Sequence, residues 1–122
     1  MSPQRVAILG ASDRADRFAY RAFQLLRQAG HEALPVHPTL SDIEGVPVVP
    51  DLASIQGPVD TLTLYVGPAR LEAMADALIT LRPGRVLFNP GTESALVQSA
   101  LDAAGIPWVE DCTLVMLQQG RF

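Results

Sequence analysis

The sequence predicts an α/β protein built as a Rossmann-like, doubly wound, mostly parallel five-stranded sheet with helices on both faces. Short β-forming apolar runs alternate with stretches of helical periodicity along the whole chain. The first run, Arg5-Val6-Ala7-Ile8-Leu9, ends on Gly10-Ala11-Ser12 and then a polar turn. A strand feeding a tight small-residue loop into a helix is the arrangement that presents helix N-terminal amides to an anion. Glycines stand where two of the helical stretches must stop, Gly30 and Gly105.

Arg5–Leu9 is the first strand. A helix over Arg17–Ala29 follows, with Phe18, Ala22, Leu25, Leu26 and Ala29 as its apolar stripe, Asp16 as N-cap and Gly30 as stop. Ala33–Val36 is a second strand closed by His37-Pro38. Thr39–Pro58, broken by prolines and glycines, reads as a crossover with at most one helical turn near Leu52–Ile55. Thr61–Val66 is rich in β-formers. Pro68 then opens a helix reaching Leu81, with proline at its favoured first position. Arg85–Phe88 is a fourth strand, Thr92–Ala104 a helix stopped by Gly105, and Trp108–Glu110 a fifth strand. The segment Cys112–Phe122 runs from apolar to polar and receives no assignment from its pattern.

A chain of 122 residues, 48% hydrophobic and 18% charged, fits a single folded domain over residues 1–122. Its net charge of −4 argues against a nucleic-acid surface. All nine basic residues are arginine. No apolar run approaches the roughly 18 residues of a membrane span, and the polar start is unlike a signal peptide. One cysteine makes no internal disulfide, which agrees with a cytoplasmic location.

In such sheets ligands bind beyond the carboxyl ends of the strands. The informative loops are therefore Gly10–Asp16, His37–Leu40, Val66–Pro68 and Asn89–Thr92. A dinucleotide fingerprint wants three spaced glycines and an acid about 20 residues later. Only Gly10 fits; Ser12 and Ala15 hold the other positions, and the second strand ends in Val36-His37-Pro38. A nicotinamide site is disfavoured, although Arg14 or His37 could meet a 2′-phosphate. A lysine-dependent phosphate loop is impossible without lysine, and no Gly-x-Ser-x-Gly elbow occurs. The two histidines and one cysteine lack metal-ligand spacing.

Arg14 and Arg17 stand at a predicted helix start, where their charge opposes the dipole unless an anion sits there. Ser12 is read as a phosphate contact against the plainer role of satisfying its own turn. His37 either ends its strand or reaches the site. His31, past the helix stop, is expected at the surface, and Cys112 is expected to be an idle thiol. Tyr20, Phe23 and Trp108 are expected in the core or the pocket wall. No nucleophile, base and orienting group fall together, so no catalysis is predicted.

The segments Val6–Arg17 (VAILGASDRADR), Leu34–Pro38 (LPVHP) and Val59-Asp60 before an apolar strand resemble the small CoA-binding proteins. These are stand-alone domains similar to the N-terminal CoA-binding domain of the succinyl-CoA synthetase α subunit. The resemblance spans about Val6 to Cys112. It implies a non-catalytic module that binds coenzyme A or an acyl-CoA. The implied contacts are Gly10, Ala11, Ser12, Asp13 and Arg14, the turn His37-Pro38, the strand end Val66-Gly67-Pro68, and the loop Asn89-Pro90-Gly91. Asn89-Pro90-Gly91 departs from the Gln- or Thr-containing loop of many relatives, and Thr113 follows Cys112 where proline is common. Two other readings stay open: a small NAD(P)- or nucleotide-dependent enzyme, and a regulatory module or homo-oligomer that grips its partner through the apolar run Leu114–Leu117.

Overall fold

The computed structural model describes residues 2–122. Strands β1 (Arg5–Leu9), β2 (Glu32–Val36), β5 (Thr61–Leu64), β6 (Arg85–Phe88) and β7 (Trp108–Glu110) form one parallel sheet in the order β2-β1-β5-β6-β7. Strand order reverses between β1 and β5, and that reversal opens a crevice beyond their carboxyl ends.

Alternation along the strands divides the core into two layers. Ala7, Leu9, Leu62, Leu64, Val86 and Phe88 face helices α2 (Pro68–Ala73), α3 (Ala75–Leu81) and α4 (Ala95–Ala104). Val6, Ile8 and Leu87 face α1 (Phe18–Gln28) and α5 (Thr113–Gln118). The centre of the second layer carries polar Thr63, fully buried between apolar neighbours. That face can hold threonine because its hydroxyl pairs with the Thr113 hydroxyl of α5 at 2.8 Å.

Several expected elements shift. Helix α1 starts at Phe18, not Arg17, and Asp16 is not its cap. Residues 14–17 close a turn of their own, the Arg17 amide donating to the Arg14 carbonyl at 3.0 Å. Arg17 therefore becomes an extended N-cap residue with no side-chain cap. The helix buries Ala19, Ala22, Phe23 and Leu26, which rotates Phe18 out of the stripe and leaves it 65% exposed. Burying Phe23 alone contributes about 1.5–3 kcal/mol.

The predicted helix from Pro68 to Leu81 breaks at Met74, whose amide bonds Leu71 three residues back in a tightened turn. The helix predicted from Thr92 begins at Ala95, because the Ser94 side chain caps it by accepting from the Val97 amide. The crossover contains an unforeseen hairpin, β3 (Asp42–Ile43) with β4 (Val46–Pro47). Its turn needs positive φ at both Glu44 and Gly45; glutamate is an unfavoured residue there, which hid the signal. Leu52–Ser54 forms the expected single turn, a 3₁₀ helix capped by Asp51.

His31, expected at the surface, is buried: its Nδ1 accepts from the Gln4 amide and its ring packs on Phe122. The apolar run Leu114–Leu117 lies in α5, where Met116 enters the core, Leu117 packs against it, and only Val115 is exposed. Most of the surface proposed for gripping a partner is spent on the protein's own core.

Candidate functional site

A cavity of about 980 Å³ fills the crevice at the β1/β5 reversal. Its floor depends on Gly10, which sits at φ +85° directly against the β5 end. A Cβ there would lie 2.8 Å from a Val66 methyl and 2.9 Å from the Tyr65 carbonyl oxygen. Only glycine fits this close approach. The amides of Gly10 and Ala11 both donate to the Val36 carbonyl, tying the loop to β2. Those two amides are consequently unavailable to a ligand, contrary to a simple phosphate-cradle picture. The Ser12 and Asp13 amides make no backbone bond, and the uncapped first turn of α1 opens beside them.

Eleven of the fourteen residues singled out above line this cavity: Gly10, Ala11, Ser12, Arg14, Arg17, His37, Pro38, Val66, Gly67, Pro90 and Gly91. Asp13, Pro68 and Asn89 do not. The Asn89 side chain points into the sheet layer, donating from Nδ2 to Thr63 Oγ1 and the Leu64 carbonyl and accepting from the Thr113 amide. It pins α5 to the sheet, and both of its Nδ2 protons are spent there.

The Ser12 hydroxyl oxygen accepts from the Arg14 amide at 3.1 Å, which is the turn-closing role. Its proton stays free to donate. His37 Nδ1 accepts from the amides of Thr39 and Leu40, both at 3.1 Å. Two donors on one ring nitrogen place the proton on Nε2, so this histidine shapes the turn and offers a donor rather than a base.

Three of the nine arginines line the cavity. Arg14 and Arg17 come from the β1–α1 side; Arg70, which the sequence reading did not single out, comes from α2 on the opposite face of the sheet. Arg17 and Arg70 make no ion pair or side-chain hydrogen bond among the described residues, and Arg14 meets only Asp16, at 4.0 Å between exposed groups. Such a surface pair is worth little. Among the described residues Asp51 is the only acidic side chain lining the cavity, and its Oδ1 caps the 3₁₀ turn by accepting from the Ser54 amide and hydroxyl. Pro38, Pro50, Leu52, Ala53, Met74 and Ala77 give one end an apolar lining. None of the last five was singled out beforehand; they lie in the crossover and beyond the Met74 break, where the pattern carried no site signal.

Tyr65 closes the floor beneath the Gly10 loop. Its hydroxyl is buried without a well-formed hydrogen bond. Burial pushes its pKa up to about 12, an effect partly offset by the neighbouring hydroxyls of Thr113 and Thr63. An acid whose pKa rises on folding stabilises the fold below its unfolded value of 10.0 and loses that contribution as pH climbs to about 12. Replacing Tyr65 with phenylalanine is expected to leave neutral-pH stability within about 1 kcal/mol of wild type. The variant should also lack up to about 2–3 kcal/mol of alkaline destabilisation across that window. Urea titrations at pH 8 and pH 11.5 check this; an equal alkaline loss in both proteins contradicts it.

Residues 4–118 match the CoA binding domain. A crystal structure of an uncharacterised protein superposes with TM-score 0.93, at 38% identity and full coverage of both chains. The structure of cell-free ID.343 from Thermus thermophilus superposes with TM-score 0.90 at 31% identity, covering 98% of this chain and 91% of that one. The uncharacterised protein YneT of Bacillus subtilis is 33% identical over 76 residues, 62% of this chain and 56% of that protein. The match thus spans little more than half of YneT's length.

Proposed function

This chain belongs to the CoA binding domain family, and on that premise we propose that it binds coenzyme A or an acyl-CoA in the β1/β5 crevice without transforming it. The observation that carries the reading is the placement, in an acidic chain, of three arginines in one cavity with no ion pair closer than 4.0 Å among the described residues. Arg17 and Arg70 line one cavity from opposite faces of the sheet, and Arg14 joins them. Arg17 also stands where the α1 dipole is already positive. Left without an anion, this arrangement is electrostatically unfavourable.

The donor set suits the cofactor. Ser12, Arg14, Arg17 and the uncapped first turn of α1 would hold the diphosphate, and the apolar end between Pro38, Leu52 and Met74 would take the adenine. A helix N-terminus contributes only about 0.3–1 kcal/mol toward an exposed anion, whereas a charge-assisted arginine bond contributes about 1.5–3 kcal/mol. Arginine side chains therefore dominate the affinity. Ser12 and His37 serve their turns rather than forming a nucleophile–base pair, which supports a carrier or sensor role.

Coenzyme A is expected to raise the melting temperature progressively with concentration, by mass action on the folded state. NAD, with no carboxylate at the β2 end to hold its ribose, should do so much less. Equal shifts from both, or no shift with millimolar coenzyme A, would contradict the proposal. Acetyl-CoA should be recovered intact from the same samples.

A further inference from the structure

We infer that Arg70 is a specificity-determining residue that reads a second anionic group on the ligand, the ribose 3′-phosphate, separately from the diphosphate held at the β1–α1 loop. The inference rests on the coenzyme A reading above and extends it to a discrimination which that reading does not require.

The arginines of the cavity fall into two groups. Arg14 and Arg17 belong to the turn that leads into α1, on the layer shared with α5. Arg70 belongs to α2, whose Leu71 anchors it in the other layer, with α3 and α4. Leu71 is fully buried, so the helix that carries Arg70 is fixed against the sheet. Between the two groups lie the Gly10 loop and the β5 end, Tyr65-Val66-Gly67.

A compact anion held at the α1 turn would leave the α2 arginine without a partner of its own. A ligand with two separated anionic centres engages both. Coenzyme A has this pattern, a diphosphate on one side of the ribose and a phosphomonoester on the other; NAD, ADP and dephospho-CoA lack the second centre. Arg70 precedes Met74 by four residues in the chain, about one helical turn, and both line the cavity with Ala77; an adenine against Met74 and Ala77 would bring its ribose substituents toward α2. Among the described residues the one lining acid, Asp51, accepts from the Ser54 amide and hydroxyl on Oδ1 and makes no ion pair with this guanidinium.

Arg70 is exposed and unpaired, so replacing it does not threaten the fold. The test is calorimetric titration of wild type, Arg70→Gln and Arg17→Gln with coenzyme A and with dephospho-CoA, plus Arg70→Lys as a charge-retaining control. Wild type should bind coenzyme A at least roughly tenfold tighter than dephospho-CoA. Arg70→Gln should erase that preference by weakening coenzyme A alone, and Arg70→Lys should restore part of it. Arg17→Gln should weaken both ligands by similar factors. If wild type binds the two ligands equally, or if Arg70→Gln weakens both alike, the role of Arg70 is refuted while coenzyme A binding stands. If wild type binds neither ligand, the binding proposal itself fails and this inference with it.

Discussion

Gly10→Ala is expected to cost about 2–5 kcal/mol of stability, the sum of a left-handed backbone for a residue with Cβ and an overlap in a packed floor. The overlap is severe because one of the two partners is backbone: the added carbon would sit 2.9 Å from the Tyr65 carbonyl oxygen. Relieving it means separating the β1 loop from the β5 end, and that shift would also move the Ser12 and Asp13 amides. Ligand affinity should therefore fall with stability. Gly91 is the internal comparison, since it has φ +93° but open space where a Cβ would go. Gly91→Ala should show only the backbone penalty, about 1–2 kcal/mol. Urea denaturation of both variants checks the pair; a Gly10→Ala loss no larger than that of Gly91→Ala contradicts the steric account.

The second large effect is expected at Asn89. Its side chain makes three bonds at 2.7–2.9 Å inside the sheet layer, and the residue is 3% exposed. Truncation to alanine leaves the Thr113 amide without its acceptor and removes the donor shared by Thr63 and Leu64. Each buried polar group deprived of its partner costs about 1–3 kcal/mol, so Asn89→Ala should lose about 2–4 kcal/mol. The loss should appear first as fraying of α5, visible as faster amide exchange over residues 113–118. Unchanged stability together with a large drop in coenzyme A affinity would mean instead that Asn89 serves the ligand directly.

Asn89 also shows why part of the site was legible in the sequence and part was not. Chain position places it in a loop at a strand's carboxyl end, and that is correct. Whether its amide turns toward the cavity or toward the sheet depends on Thr63 and Thr113, 26 and 24 residues away, and no local pattern carries that information. Gly10 was legible because close approach and positive φ both demand the one residue type that shows in a sequence. The three inner strands β1, β5 and β6 were legible for a similar reason: central parallel strands are buried on both faces and read as apolar runs. Arg70 was missed because a single arginine on an amphipathic helix looks like any solvated charge; its meaning comes from the strand reversal that brings α2 to the same crevice as α1. The Glu44-Gly45 turn and the break at Met74 were missed because local propensity opposed them, and the buried contacts of Ile43 and Leu78 override it.

The central claim is that coenzyme A occupies the β1/β5 crevice, and amide chemical-shift mapping of the 13.1 kDa protein tests it most directly. On titration with coenzyme A, the saturable shifts should concentrate in residues 10–19, at His37, and in residues 66–74. Residues lining the second cavity, about 710 Å³ along the outer edge of β2 from Gly30 to Pro35, should stay unmoved. Shifts confined to that second cavity, or no saturable shifts with millimolar coenzyme A, would contradict the account.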